Sequence, residues 1–155
     1  MDINTVANVG TLVAVASALV FGAIQVSHAQ RKARNQATWD ILSSFLDPDV
    51  RRGYPLVRDL PDDCDPEEIR LHPDVRYAAE TMDFLFEGHG MMVDRRAVSL
   101  REFDALLGGS CRMCWRKLRR YVLEERQRTG NPHYGEWFEW LVGRIGPEKG
   151  RPGRA

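Results

Sequence analysis

At 155 residues, with 22 Lys+Arg against 22 Asp+Glu, the chain has room for one domain plus an anchor, and not for two ordinary domains. The balanced charge excludes bulk electrostatic binding, so no nucleic acid is expected as a partner. The balance is unevenly placed: between Met1 and Gln30 the only ionisable side chains are Asp2 and His28, and every Lys and Arg lies from Arg31 onward.

The first element is an uncharged run from Val6 to Ile24, with Asn8, Thr11 and Ser17 its only polar members. As a helix, about 19 residues span roughly 28 Å, close to the ~30 Å hydrocarbon core of a bilayer. Arg31, Lys32 and Arg34 follow it. Basic residues resist crossing, so this flank is expected in the cytoplasm and the N-terminus outside, in a single-pass protein of the cell (inner or plasma) membrane. A cleaved signal peptide competes: Ser27-His28-Ala29 offers a small-x-small site, with cleavage after Ala29 releasing an exported soluble domain. Met1-Asp2 supplies no basic n-region, which favours the anchor. Within the run Gly10, Ala14, Ala18 and Gly22 recur every four residues, a small-residue stripe along which a second copy of the helix can approach. The plain alternative is that Ala and Gly are common in membrane helices.

No Pro or Gly stands between Gly22 and Pro48, so the membrane helix is expected to continue into a stalk. Thr38, Ile41, Leu42 and Phe45 then begin an apolar face, widened by Trp39 and Leu46. Asp47-Pro48-Asp49 ends or kinks it. Val50 to Leu60 is ambiguous, because Gly53 and Pro55 interrupt any long helix. Leu60 to Asp65 reads as a loop, and Pro66-Glu67-Glu68 as one helical turn. His72-Pro73-Asp74 is a second start, with Val75, Ala78, Ala79, Met82, Leu85, Phe86 and His89 at helical spacing and a stop at Gly88 and Gly90. Ser99-Leu100-Arg101-Glu102 is a capping box opening a helix to Leu107. Gly108-Gly109 is expected to break or bend it, with Ser110 capping a long helix from Cys111 to about Arg128. Gly130-Asn131-Pro132 is a stop. Tyr134, Trp137, Phe138, Leu141, Val142 and Ile145 form the last stripe.

No window alternates with period two. The fold class expected is all-α: an N-terminal transmembrane helix continuing into a stalk, plus a small bundle of about five helices. The expected divisions are an anchor over residues 1–28, a stalk and cytoplasmic helical domain over 29–146, and a disordered basic tail over 147–155.

Several of these features occur together in one known family. They are the apolar run with Arg31-Lys32-Ala33-Arg34, the segment Asp83-Phe84-Leu85-Phe86-Glu87-Gly88, Trp115 and Tyr121 on a helix ending near Arg126, and Tyr134-x-x-x-Phe138-Glu139-x-Leu141. With them the chain resembles a bacterial family of uncharacterised membrane proteins catalogued as domain of unknown function 4760. The resemblance covers most of the chain and implies a membrane-anchored helical fold. It brings no catalytic residues with it.

Motifs that carry chemistry are few. Cys111-Arg112-Met113-Cys114 is a C-x-x-C, but a structural zinc site needs four ligands and a thioredoxin-like site needs a preceding strand. Cys64, His72, His89 and His133 are distant in sequence. Both Cys fall on the stripe of Trp115 and Leu118, where small buried thiols are core residues. Gly88-His89-Gly90 suggests a catalytic histidine, yet nothing joins it to Ser99, Cys111 or Asp94 as a triad, and a capping His at a helix end is plainer. Asp62-Asp63-x-Asp65 with Glu67-Glu68 lacks the alternation of a calcium loop and reads as a solvated acidic loop. Arg116, Lys117, Arg119, Arg120, Arg126 and Arg128 form a basic face, diluted by Glu124-Glu125, that reads as a solvated helix face, with contact to anionic headgroups or nucleic acid as the alternative. Trp140 lies nearly opposite Phe138 and is either exposed for a partner or packed on the stalk.

The function expected is therefore a non-enzymatic, membrane-tethered interaction or scaffolding module. It needs no cofactor and no metal, binds an unknown protein partner, and self-associates through the membrane helix. An enzyme or metal/redox sensor using Cys111 and Cys114 is the alternative.

Overall fold

The computed structural model describes residues 3–146; the side chains of residues 3–16, 31 and 34 lie outside the description. Among the described residues every regular element is a helix: α1 Ile3–Ser44, α2 Pro48–Arg58, α3 Pro66–Leu71, α4 Pro73–Asp94, α5 Leu100–Thr129 and α6 Glu136–Ile145. The all-helical class matches the sequence reading, and the total of about six helices agrees because α2 adds one where α5 is not split in two. Two compact units divide the chain, Met1–Gln36 and Ala37–Ala155.

In the first unit the helix is unbroken, as the lack of Pro and Gly after Gly22 predicts. Its described apolar side chains stand open, Leu19 at 70% and Phe21 at 64% exposure. Among the described residues no helix is long and apolar enough to cross a membrane. The expected span is therefore not seen there, and most of Val6–Ile24 falls on side chains outside the description.

In the second unit three helix starts, those of α2, α3 and α5, are capped by a neighbouring side chain. Asp47 accepts a hydrogen bond from the Asp49 amide at 2.8 Å ahead of Pro48, and Asp65 accepts one from the Glu67 amide at 2.9 Å ahead of Pro66. An acidic cap followed by Pro at the first helical position satisfies one free amide and removes another. The expected capping box is present: Ser99 Oγ accepts from the Glu102 amide, and Glu102 Oε2 from the Ser99 amide.

α4 is the central element, packed against α2, α3, α5 and α6. Phe86, Met82, Phe103, Leu118, Phe138 and Leu141 are fully buried around it. Phe86 stacks on Phe138 with ring centroids 4.8 Å apart, and Trp115 meets Phe138 edge-on at 5.0 Å. Each such aromatic pair adds about 0.5–1.5 kcal/mol beyond area burial.

Five expectations are corrected by packing. Gly53 and Pro55 do not prevent α2. A Cβ at Gly53 would stand 3.1 Å from Ala78 Cβ, so this glycine lets α2 and α4 approach. α4 does not stop at Gly88-Gly90 but runs to Asp94, because Gly90 faces α6: a Cβ there would stand 2.6 Å from the Trp137 carbonyl oxygen. Gly108-Gly109 does not break α5. Asp104 passes over Gly108 to meet Arg112 Nη1 at 2.8 Å, a pairing two turns apart that a side chain at 108 would obstruct. Ser110 therefore lies inside α5, accepting from the Tyr54 hydroxyl at 3.1 Å, and is not a cap. Trp39 and Leu46 do not join the core; they are 69% and 71% exposed, whereas Ile41 is fully buried.

Candidate functional site

Three places in the second unit gather chemistry. The first is an open groove with a volume of ≈ 470 Å³ where the end of α1, the start of α2 and one face of α4 meet. Asp47, Asp49 and Val50 come from α2 and its cap, Ser44 from α1, and Tyr77, Glu80, Thr81, Phe84 and Leu85 from α4. The Tyr77 hydroxyl donates to Asp49 Oδ2 at 3.0 Å, and this bond pushes the Tyr77 pKa up. Arg52 meets the other Asp49 oxygen at 2.5 Å. Phe84 stands at the rim, 82% exposed. A phenyl ring left in water forgoes about 1.5–3 kcal/mol of burial. The sequence reading missed Phe84 because it lies off the core stripe. The available signal was its position seven after Tyr77 and seven before Met91, on the other face of the same helix.

The second place is the start of α6. Its N-cap, Gly135, has no side chain to offer, and the cap comes instead from α4: Glu87 Oε1 accepts from the Phe138 amide at 2.7 Å. One turn earlier, Asp83 is 5% exposed and its Oδ1 has no hydrogen-bond partner. Burial, with Glu87 adding repulsion, pushes the Asp83 pKa up to about 7. Burial also raises Glu87.

The third is His89, an interior residue of α4 and not the expected helix-end cap. It sits among Phe45, Phe86 and Phe103, with Nε2 3.1 Å from Ser44 Oγ. Burial lowers its pKa to about 4. The Ser44 hydroxyl donates to the Ile41 carbonyl at 2.6 Å. That leaves its lone pair to accept from a neutral Nε2–H, a tie between α1 and α4.

The remaining candidates fall elsewhere. Cys111 and Cys114 are fully buried, as their place on the core stripe predicts, and burial pushes both thiols up, Cys114 to about 12. Neither is a thiolate at neutral pH. Among the described residues no three His, Cys, Asp or Glu side chains come together as a metal set. The acidic loop and the basic face, expected as two separate solvated surfaces, meet. Asp62 pairs with Lys117 at 2.7 Å, Asp63 pairs with Arg119, and the Asp63 amide donates to the Arg116 carbonyl at 2.7 Å. Arg119 holds the Asp63 carboxyl below its ordinary range. Arg70 joins Glu67, Glu124 and Glu125. Trp140 is half-buried, edge-on to Trp137 at 5.7 Å and under the Arg144 guanidinium.

Of the membrane-helix stripe, Ala18 and Gly22 are exposed, and a Cβ at Gly22 would meet nothing within 4 Å. The side chains of Gly10 and Ala14 lie outside the described residues, as do those of Arg31 and Arg34 and the whole of 147–155; Lys32 is exposed.

A family model described as domain of unknown function (DUF4760) matches residues 11–145. The chain belongs to this family. The match takes in the described apolar stretch of α1, the α4 groove and the α6 start. No curated protein and no solved structure matches the chain.

Proposed function

We propose that this DUF4760 member is a membrane-tethered, non-enzymatic helical interaction module. Its anchor would run from Val6 to Ile24, with the N-terminus outside and the domain from Ala37 in the cytoplasm. The observation that carries this reading is the contrast between the two units. Every side chain described in the first unit is exposed, Leu19, Val20, Phe21, Ile24 and Val26 at 47–70%, whereas the buried core described lies in the second unit. Five large apolar side chains leave on the order of 10 kcal/mol of burial unrealised, which lipid or a neighbouring helix would recover. Described side chains in this unit begin at Ser17, so the run reaches ~30 Å only with residues 6–16 counted from the sequence. The charge step at Arg31 supports the orientation. The exposed faces of Ala18 and Gly22 agree with self-association along the small-residue stripe.

The alternative, an enzyme or metal/redox sensor acting through Cys111 and Cys114, has the burial of both thiols against it.

Carbonate extraction, a reporter fused after Ala155 and the intact mass of the chain test the reading together. Expected are a carbonate-resistant membrane fraction, a cytoplasmic reporter and an uncleaved N-terminus. A carbonate-soluble chain overturns the anchor. A chain beginning at Gln30 supports the exported domain.

A further inference from the structure

The face of α4 turned away from the core carries a seam. Tyr77, Thr81, Phe84, Gly88 and Met91 follow one another at spacings of four and three alternately, the pattern by which one helix lies along another. Tyr77, Phe84 and Met91 are 55%, 82% and 39% exposed. Gly88 is the small position, and a Cβ there would meet nothing within 4 Å. Where the seam enters the groove, the lining supplies Asp47, Asp49 and Glu80 and no Lys or Arg. Arg52 offsets Asp49 from outside the lining, and Arg76 is 3.9 Å from Glu80.

We propose that this seam docks a cationic amphipathic helix of a partner protein, with Phe84 as the apolar anchor, Gly88 as the point of close approach and the groove carboxylates receiving Lys or Arg. Helix-in-groove recognition uses this combination: alternating apolar contacts for affinity and flanking charge for choice of partner. The same charges argue against a second copy of this chain. On one flank the exposed Glu80 and Asp94 stand two heptads apart, so two α4 seams laid antiparallel would bring Glu80 of one against Asp94 of the other, acid against acid. They argue equally against an anionic lipid surface. The proposal deepens the interaction part of the proposed function and is independent of the anchor.

The test uses the full-length protein in detergent micelles. A displayed library of random peptides of about 16 residues, long enough for four helical turns, is panned on it and counter-selected on the Phe84→Ser variant. Peptides rich in Arg or Lys, with large apolar residues at helical spacing, are expected to be enriched. One of these, synthesised and labelled, should lose about tenfold affinity or more with Phe84→Ser and with Gly88→Leu. It should weaken with rising salt, less steeply with Glu80→Gln. Gly88→Leu should unfold no earlier than wild type, because the site is open and Gly is the poorer helix former, so its loss of binding is not a loss of fold. Enrichment of acidic or uncharged peptides, no enrichment, or binding indifferent to both variants overturns the proposal. So does light scattering that shows wild-type self-association lost in Phe84→Ser and Gly88→Leu. Panning reads the groove and carbonate extraction the anchor, so either can fail alone.

Discussion

Asp83 and Glu87 stand one turn apart on α4, and both face the start of α6. Glu87 has a backbone amide to accept from, whereas Asp83 Oδ1 has no partner. The nearby charged and titratable groups are Glu87 on α4, Arg126 on α5, and Tyr134 ahead of α6. A carboxyl whose folded pKa lies above its unfolded value takes up a proton on folding between the two values. Asp83 moves from 3.8 to about 7. Stability should therefore fall as pH rises from about 4 to 7, with a cost bounded near 4 kcal/mol that is fully present above 7. Asp83→Asn should raise the Tm at pH 8 and flatten the dependence between pH 5 and 8, read by thermal melts. An unchanged slope would remove Asp83 as its source. Little of this was legible in sequence. Asp83 sits between Met82 and Phe84 in an apolar helix, which marks it as unusual, but its burial goes with the approach of Gly135, 52 positions on, to its carboxyl. His89 follows the same logic: its helical spacing from Met82 and Phe86 announced a core position, while the Ser44 contact came from another helix.

At the scale of elements, the glycines separate what propensity says from what packing decides. Gly88 and Gly90 look alike in the sequence, and both suggested the end of α4. In the fold one is open and the other lies against the Trp137 carbonyl. Gly88→Ala should therefore stabilise by about 0.5–1 kcal/mol through helix propensity. Gly90→Ala should destabilise by about 1–3 kcal/mol by forcing α6 off α4. Urea denaturation of the pair checks this, and equal signs would show that the two helices do not cross there. Gly108 is tolerated within α5 because Asp104 and Arg112 close over it, and Gly53 within α2 because its missing Cβ seats the helix on Ala78. The helix starts, in contrast, were legible at Pro66, Pro73 and Ser99, since a cap acts on amides within three residues of itself and a Pro at the first helical position is itself a start signal.

At the scale of the molecule, the buried apolar residues described lie from Ala37 onward. A chain lacking residues 1–36 should accordingly keep its helical circular dichroism and a single cooperative unfolding transition. A molten or aggregated product would mean that the division at Gln36 does not mark an independent core. Within the second unit the acidic loop at Asp62–Asp65 and the basic turns of α5 neutralise each other as facing patches.

The sequence by itself determined the all-helical class, the helix starts at Pro66, Pro73 and Ser99, the core stripes through Phe86, Cys111, Leu118 and Phe138, and the family. Each of these rests on local spacing or on caps that act within one turn. Only the tertiary structure decided that the acidic loop docks on α5, that Glu87 caps α6, that α4 and α5 run through their glycines, and that Phe84 faces out beside a groove. The loop docking and the α6 cap depend on pairs more than 40 residues apart, Asp63 with Arg119 and Glu87 with Phe138, whereas α5 passes Gly108 through a pair eight residues apart, Asp104 with Arg112. No local period records which distant surface a helix face will meet.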